Sequence, residues 1–417
     1  MRLLFYRPAQ TLYTSSVSTA FQQGVPLSSG TTIGNHVDGY KLTGNKGNMI
    51  HRMAMLQLLD FDRPNSAQMD LAALRKSGKS IDYIKDFVRE HFDAVVLTFS
   101  NIIRKGDSDG FLTDIIKAID IPIVTVGVGL QDTLSDGIQA LDPTTVALLQ
   151  VLNDRSVLFG VRGHRTQEWC HEAGFEKAKA IGCPSMFAYP QNIRSLKPTH
   201  YRRSMRVMTA GHLHPRLLDA QKARIMTLMA KLPKKHVSYV FQSELSAYTD
   251  ILGIEGLYNE ASSEIDAGFM NGYLQNHFGI NRSFDHYYCF NDAGSWRQAA
   301  SFHDLYVGDR IHGGVAAMQA GTPAIVLYED IRVAELTAFH GIPNAKVSDL
   351  KKHSFADLVD MHLSSEAMAR FKKRYEITLG NFCQQIGAAG LELIISPNIA
   401  ALADRLIGSE RAPVATV

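Results

Sequence analysis

Short continuous runs of β-branched and aliphatic residues recur along this 417-residue chain, each closed by glycine or polar residues and followed by a stretch of helical periodicity. Strands that alternate with helices pair in parallel, because only a long crossover returns the chain to the same sheet edge. In the first half the clearest runs are residues 94–99, 121–127 and 157–161, continuous enough to be covered on both faces, with helices alternating with them, for example over 81–91 ahead of the first. The periodicity lapses over 188–204, where two prolines and three arginines stand in a polar stretch, and a second series begins at 205–210, 236–241, 285–290, 304–307 and 324–328. A chain of this length exceeds what one core organises. The reading is therefore α/β: two Rossmann-like domains, 1–195 and 196–417, facing a cleft, with a C-terminal segment (364–407) of amphipathic helices and a frayed tail over 410–417.

Composition narrows the partners. With 43 basic and 41 acidic residues the net charge is +2, so no surface is built to coat nucleic acid or an anionic membrane, and any anion site must be local. No apolar run approaches the roughly 18 residues of a spanning helix, and the opening run is too short for a leader, which leads to the expectation of a cytoplasmic protein. Cys170, Cys183, Cys289 and Cys383 are scattered without C-x-x-C spacing and read as buried thiols. Association with further copies of the chain is left open.

In parallel sheets of this kind ligands bind beyond the carboxyl ends of the strands, so chemistry is expected in the loops that follow them. The segment Gly308-Asp309-Arg310-Ile311-His312-Gly313-Gly314 follows a strand and opens a helix. Unpaired N–H groups and the positive end of the macrodipole at a helix start favour a phosphate or carboxylate, and Gly313 and Gly314 would let it approach the backbone. Arg310 adds a planar fork, and His312 a group that exchanges protons near neutral pH. The same pair also fits a structural salt bridge beside a capping imidazole. Of Asp309 and Asp330, at least one is expected to pair with Arg310 or Arg332 rather than bind metal. Second candidates are Arg216 at another helix start, and the loop residues Asn45, Asn48, Arg52, Asn101, Arg104, Arg162, His164 and Arg165. No metal site is expected: His212 and His214 lack a carboxylate partner at ligand spacing. Gly78-Lys79-Ser80 and Gly127-Val128-Gly129 fail the full phosphate-loop and dinucleotide patterns.

The Arg310 segment, with Gln319-Ala320-Gly321-Thr322-Pro323-Ala324 and Asp330-Ile331-Arg332, resembles the C-terminal signature of the polysaccharide pyruvyl transferase family. Gly44-Asn45-Lys46-Gly47-Asn48 is similar to that family's early Asn-x-Gly-Asp turn, and Val161-Arg162 with Thr166 to its mid-chain Arg-Asp segment. Asn48, Gly163 and Cys183-Pro184-Ser185 depart from it where aspartate is usual. The resemblance implies a GT-B-like fold, phosphoenolpyruvate as donor with no cofactor, and a sugar acceptor on a glycan, lipid-linked oligosaccharide or glycoside. The product would be a pyruvate ketal. Arg310 and His312 would be catalytic, with Arg310, Ile311, His312, Gly313, Gly314 and Arg216 around the donor. Asn45, Asn48, Asn101, Arg162 and His164 would lie in the cleft or on its acceptor side, and Tyr287, Tyr288, Trp296 and Tyr328 could stack on a sugar ring. A nucleotide-sugar glycosyltransferase and an inactive sugar- or anion-binding relative remain the alternatives.

Overall fold

The computed structural model describes residues 1–6 and 45–394, except 77, 109, 132–136, 217–218, 243, 253–256, 260–263 and 291; Gly44 and the expected frayed tail over 410–417 lie outside the described residues. Two six-stranded sheets form, both parallel throughout. The first contains β1 (Leu3–Tyr6), β2 (Ala67–Met69), β3 (Ala94–Thr98), β4 (Ile123–Val128), β5 (Ser156–Val161) and β6 (Ala178–Ala180), in the order β2-β1-β3-β4-β5-β6. The second contains β7 (Val207–Thr209), β8 (Val237–Phe241), β11 (His286–Cys289), β12 (Leu305–Gly308), β13 (Ala324–Tyr328) and β14 (Asn344–Lys346). Its order is β11-β8-β7-β12-β13-β14. A small antiparallel hairpin, β9 (Tyr258–Asn259) with β10 (Glu264–Ile265), is inserted between β8 and β11.

The apolar runs become strands because helices cover both faces of each sheet: β3, β4 and β8 are buried at every position. The run expected from 121 starts at Ile123, since Pro122 has no N–H to give the ladder, although its carbonyl accepts from the Val95 N–H at 2.9 Å. Three-residue edge strands (β2, β6, β14) and the four-residue β1 escaped the periodicity reading.

In both sheets the strand order reverses direction once, between β1 and β3 and between β7 and β12. Loops after these strands open a crevice. Two helices meet there, Asn48–Leu58 and Ile311–Gln319, and both are buried on almost all sides because each lies between its own sheet and the opposite half.

The long helix Ser365–Ala388 begins beside the second sheet and ends on the first. Arg374 Nε donates to the Phe339 carbonyl at 2.8 Å, Asn381 to the Ala180 carbonyl at 3.0 Å, and Ile394 N–H to the Leu58 carbonyl at 2.8 Å. Where the chain leaves the first half, Thr199 N–H donates to the Leu363 carbonyl at 2.9 Å, so the outgoing and returning crossings run side by side. Among the described residues no helix is long and apolar enough to cross a membrane.

Candidate functional site

A narrow cleft opens where the two halves meet. Every segment lining it follows a strand or opens a helix. From the first half come Asn45 and Asn48 at the start of the Asn48 helix, Ser100 and Asn101 after β3, and Arg162 after β5. From the second come Gln242 after β8, Asp309 to His312 after β12, and Arg332 and Val333 after β13. Asn45 shapes its own turn, its Oδ1 accepting from the Gly47 N–H at 2.8 Å.

Arg310 is nearly buried, 11% exposed, and its Nη2 donates to Glu244, which is 1% exposed. Its Nε donates to the Gly211 carbonyl at 3.3 Å. Burial alone would weaken this guanidinium's hold on its proton, but the carboxylates of Glu244 and Asp309 more than offset it and the pKa is raised. Part of the fork expected for the donor is therefore spent on Glu244. Asp330 pairs with Arg332 at 3.3 Å, as one of the two aspartates was expected to do. Asp309 instead takes His212 Nδ1 at 2.9 Å and Arg224 Nε at 3.2 Å, and its carboxyl is held below the usual range against the opposing effect of burial.

His312 is the second residue of its helix, and its Nε2 is shielded from solvent without a hydrogen-bond partner among the described residues. Burial, then the charges of Arg162 and Arg332, push its pKa down to about 3. It is therefore neutral at physiological pH rather than the ready acid expected from the sequence. The ring of His51, buried in the Asn48 helix, lies with its centroid 5.1 Å from that of His312, and its Nδ1 likewise makes no hydrogen bond. Burial, then His312, Arg52 and Arg162, hold His51 well below the ordinary imidazole range.

Arg162 is 2% exposed; its Nε donates to the Gly127 carbonyl at 2.9 Å and its Nη1 to Asn101 Oδ1. Burial lowers its pKa, and Arg332 acts in the same direction. Two guanidiniums from opposite halves thus bear on one neutral imidazole at a helix N-terminus, a field that favours an anion with two negative groups.

The structure brings Asn45, Asn48, Asn101, Arg162, Arg310, Ile311 and His312 to one cleft. Other sequence candidates fall outside the cleft lining, Arg52, Arg104 and Arg165 among them. His164, exposed at the first position of its helix, lays its ring by Phe339 at 5.2 Å, and the inward place in that first turn belongs to Thr166. Arg216 is exposed off the cleft wall, its N–H held by His214 Nδ1 at 3.0 Å. Gly313 and Gly314 face the sheet and not a ligand. A Cβ on the first would lie 2.6 Å from the Tyr306 hydroxyl, and on the second 2.8 Å from Val326 Cγ2. The Tyr306 hydroxyl in turn donates to the Arg310 carbonyl at 2.8 Å and so fixes the loop. Trp296 and Tyr287 are core residues, 0% and 5% exposed, and cannot stack on a sugar. Sequence reasoning missed Ser100, Gln242, Glu244 and His51, which come from different loops and carry no local signature; Arg332, inside the recognised motif, was open to inference.

Comparison with known proteins bears on this placement. No curated protein sequence matches the chain. Among solved structures, UDP-GlcNAc 2-epimerase from Neisseria meningitidis bound to UDP-GlcNAc superimposes with a TM-score of 0.46 at 12% identity, over 93% of this chain and 99% of that one. HepE from Anabaena in complex with UDP-glucose gives 0.44 at 11% identity, over 98% and 99%. The sequence model of the polysaccharide pyruvyl transferase family matches residues 45–331, a span that opens at Asn45 and closes at Ile331, immediately before Arg332 of the cleft. By that match over more than half its length, this chain belongs to the polysaccharide pyruvyl transferase family.

Proposed function

We propose that this chain transfers a pyruvyl group from phosphoenolpyruvate to two hydroxyls of one sugar in a glycan or glycoside, forming a pyruvate ketal. The observation that carries the reading is the convergence of Arg162 and Arg332 on His312 at a helix start. A donor bearing both a carboxylate and a phosphate matches two cations plus a helix N-terminus. The second half, with Arg162 reaching in from the first, would hold the donor. The first half would offer Asn45, Asn48 and Asn101 to the acceptor, whose hydroxyls need amide donors and acceptors.

Burial first, and the two arginines after it, keep His312 unprotonated; arrival of the anion offsets the arginines and lets His312 take up a proton more readily. Its Nε2 delivers that proton to the methylene carbon of the enol phosphate, and positive charge builds on the neighbouring carbon. A first sugar oxygen bonds there. The C–O bond to phosphate breaks, and Arg162 and Arg332 hold the departing charge. The second oxygen closes the ring. Of the two hydroxyl protons released, one balances the new methyl group and the other leaves with phosphate, so His312 returns to its starting state.

Phosphoenolpyruvate is a cytoplasmic metabolite, and on this reading the reaction runs in the cytoplasm. The test is phosphate release from phosphoenolpyruvate with a panel of glycan acceptors, with ketal formation read by mass. His312→Ala should reduce turnover by roughly 10²-fold or more while the fold persists. A variant of near wild-type activity would remove His312 from the mechanism, and thermal stabilisation by a UDP-sugar but not by phosphoenolpyruvate would overturn the donor.

A further inference from the structure

We infer that Glu335 is a positioning residue: from the second half of the molecule it caps the helix that follows Arg162, and so latches the two arginines of the anion site at a fixed separation. The helix His164–Glu172 has Gly163 at its N-cap, with extended backbone and no side chain to accept from the first turn. Its cap comes from across the cleft. Glu335 Oε1 accepts from Thr166 N–H at 2.6 Å and Oε2 from the Thr166 hydroxyl at 2.7 Å. The same hydroxyl accepts from the Leu130 N–H at 3.3 Å, which ties in the end of β4, whose Gly127 carbonyl holds Arg162.

Gly163 makes room for this arrangement. A Cβ there would lie 2.7 Å from Glu335 Cγ and 2.9 Å from its Oε1. Gly163 has no side chain with which to cap its own helix, and a carboxylate from the other half does the capping. Glu335 stands one turn beyond Arg332 on the helix Ile331–His340, which Asp330 caps through the Val333 N–H at 2.9 Å. A single side chain thus connects the element carrying Arg332 to the loop carrying Arg162.

The test separates latch from cap. In Glu335→Ala both are lost; in Gly163→Asp with Glu335→Ala the new carboxylate, in extended backbone and with the space vacated, restores the cap alone. Expected for Glu335→Ala are a lower thermal midpoint, phosphoenolpyruvate affinity weakened about tenfold by calorimetry, and a larger radius of gyration in solution scattering. The double variant should regain the midpoint but neither the affinity nor the compactness. Recovery of all three in the double variant, or unchanged affinity and scattering in Glu335→Ala, would overturn the latch. Glu335→Gln keeps the side-chain volume and guards against misfolding; it should weaken phosphoenolpyruvate several-fold, and wild-type affinity would count against the proposal. The affinity arm rests on the proposed donor, but scattering needs no ligand. Wild-type protein that ignores phosphoenolpyruvate while Glu335→Ala still expands would sink the donor and leave the latch standing.

Discussion

Binding of phosphoenolpyruvate should draw a proton from solution onto His312. Burial and the charges of Arg162 and Arg332 hold this imidazole at about 3, against an ordinary 6.5. The bound anion offsets the arginines' share of that depression and leaves the share due to burial, so donor and proton are coupled by roughly 1.4 kcal/mol for each pH unit recovered. At pH 6 the free protein carries almost no proton on His312, and the complex carries a larger share of one. The donor affinity should then rise as pH falls from 7 to 5, beyond the change due to the donor's own phosphate. Calorimetry at pH 6 in buffers of differing ionisation enthalpy counts the protons taken up, and His312→Gln supplies the background. Uptake that is the same in wild type and His312→Gln would refute the argument, since the proton would then be settling elsewhere.

Other expectations follow from the same electrostatics and packing. Arg332→Ala should weaken phosphoenolpyruvate roughly 10- to 100-fold and raise the His312 pKa, read by imidazole NMR. His340, 0% exposed, is held at about 3 by burial and then by Arg374. Its folded pKa lies below its unfolded value, so the stability it contributes is present above about pH 6.5 and is lost as pH falls toward 3. Between pH 7 and 5 this amounts to about 2 kcal/mol. His340→Gln, which can still accept from the Cys183 N–H, should lose that much less over the same interval in urea unfolding. Gly314→Ala drives a methyl to 2.8 Å from Val326 Cγ2 and should cost about 1–3 kcal/mol of stability; a neutral substitution would reinstate the glycine as a ligand contact.

The parts of this molecule that could be read in advance are those where several residues in a row report one environment. β3 and β8 are buried on both faces, so their runs are uninterrupted, whereas β6 has Lys179 exposed and only three residues to show a pattern. The Arg310 motif was legible because strand, loop and helix start are contiguous there. His164 and Arg216 were misplaced because occupying a helix start does not say which way a side chain points, and in the Arg162 loop the inward direction falls to Thr166. Glu244 and Glu335 were invisible for a different reason. Their partners are 66 and 169 residues away: Glu244 meets Arg310 where loops of the second sheet converge, and Glu335 meets Thr166 only because the two halves come together.

The paired crossings near Thr199 and Leu363 limit what the cleft can do when it opens. Bodies joined by one thread can swivel freely, but two threads bound together act like the spine of a book and leave a single turning axis. The covers can part to admit a substrate without sliding past each other. Turned about one such axis, Arg162 on one page and Arg332 on the other would come back to the same facing position whenever the book shut.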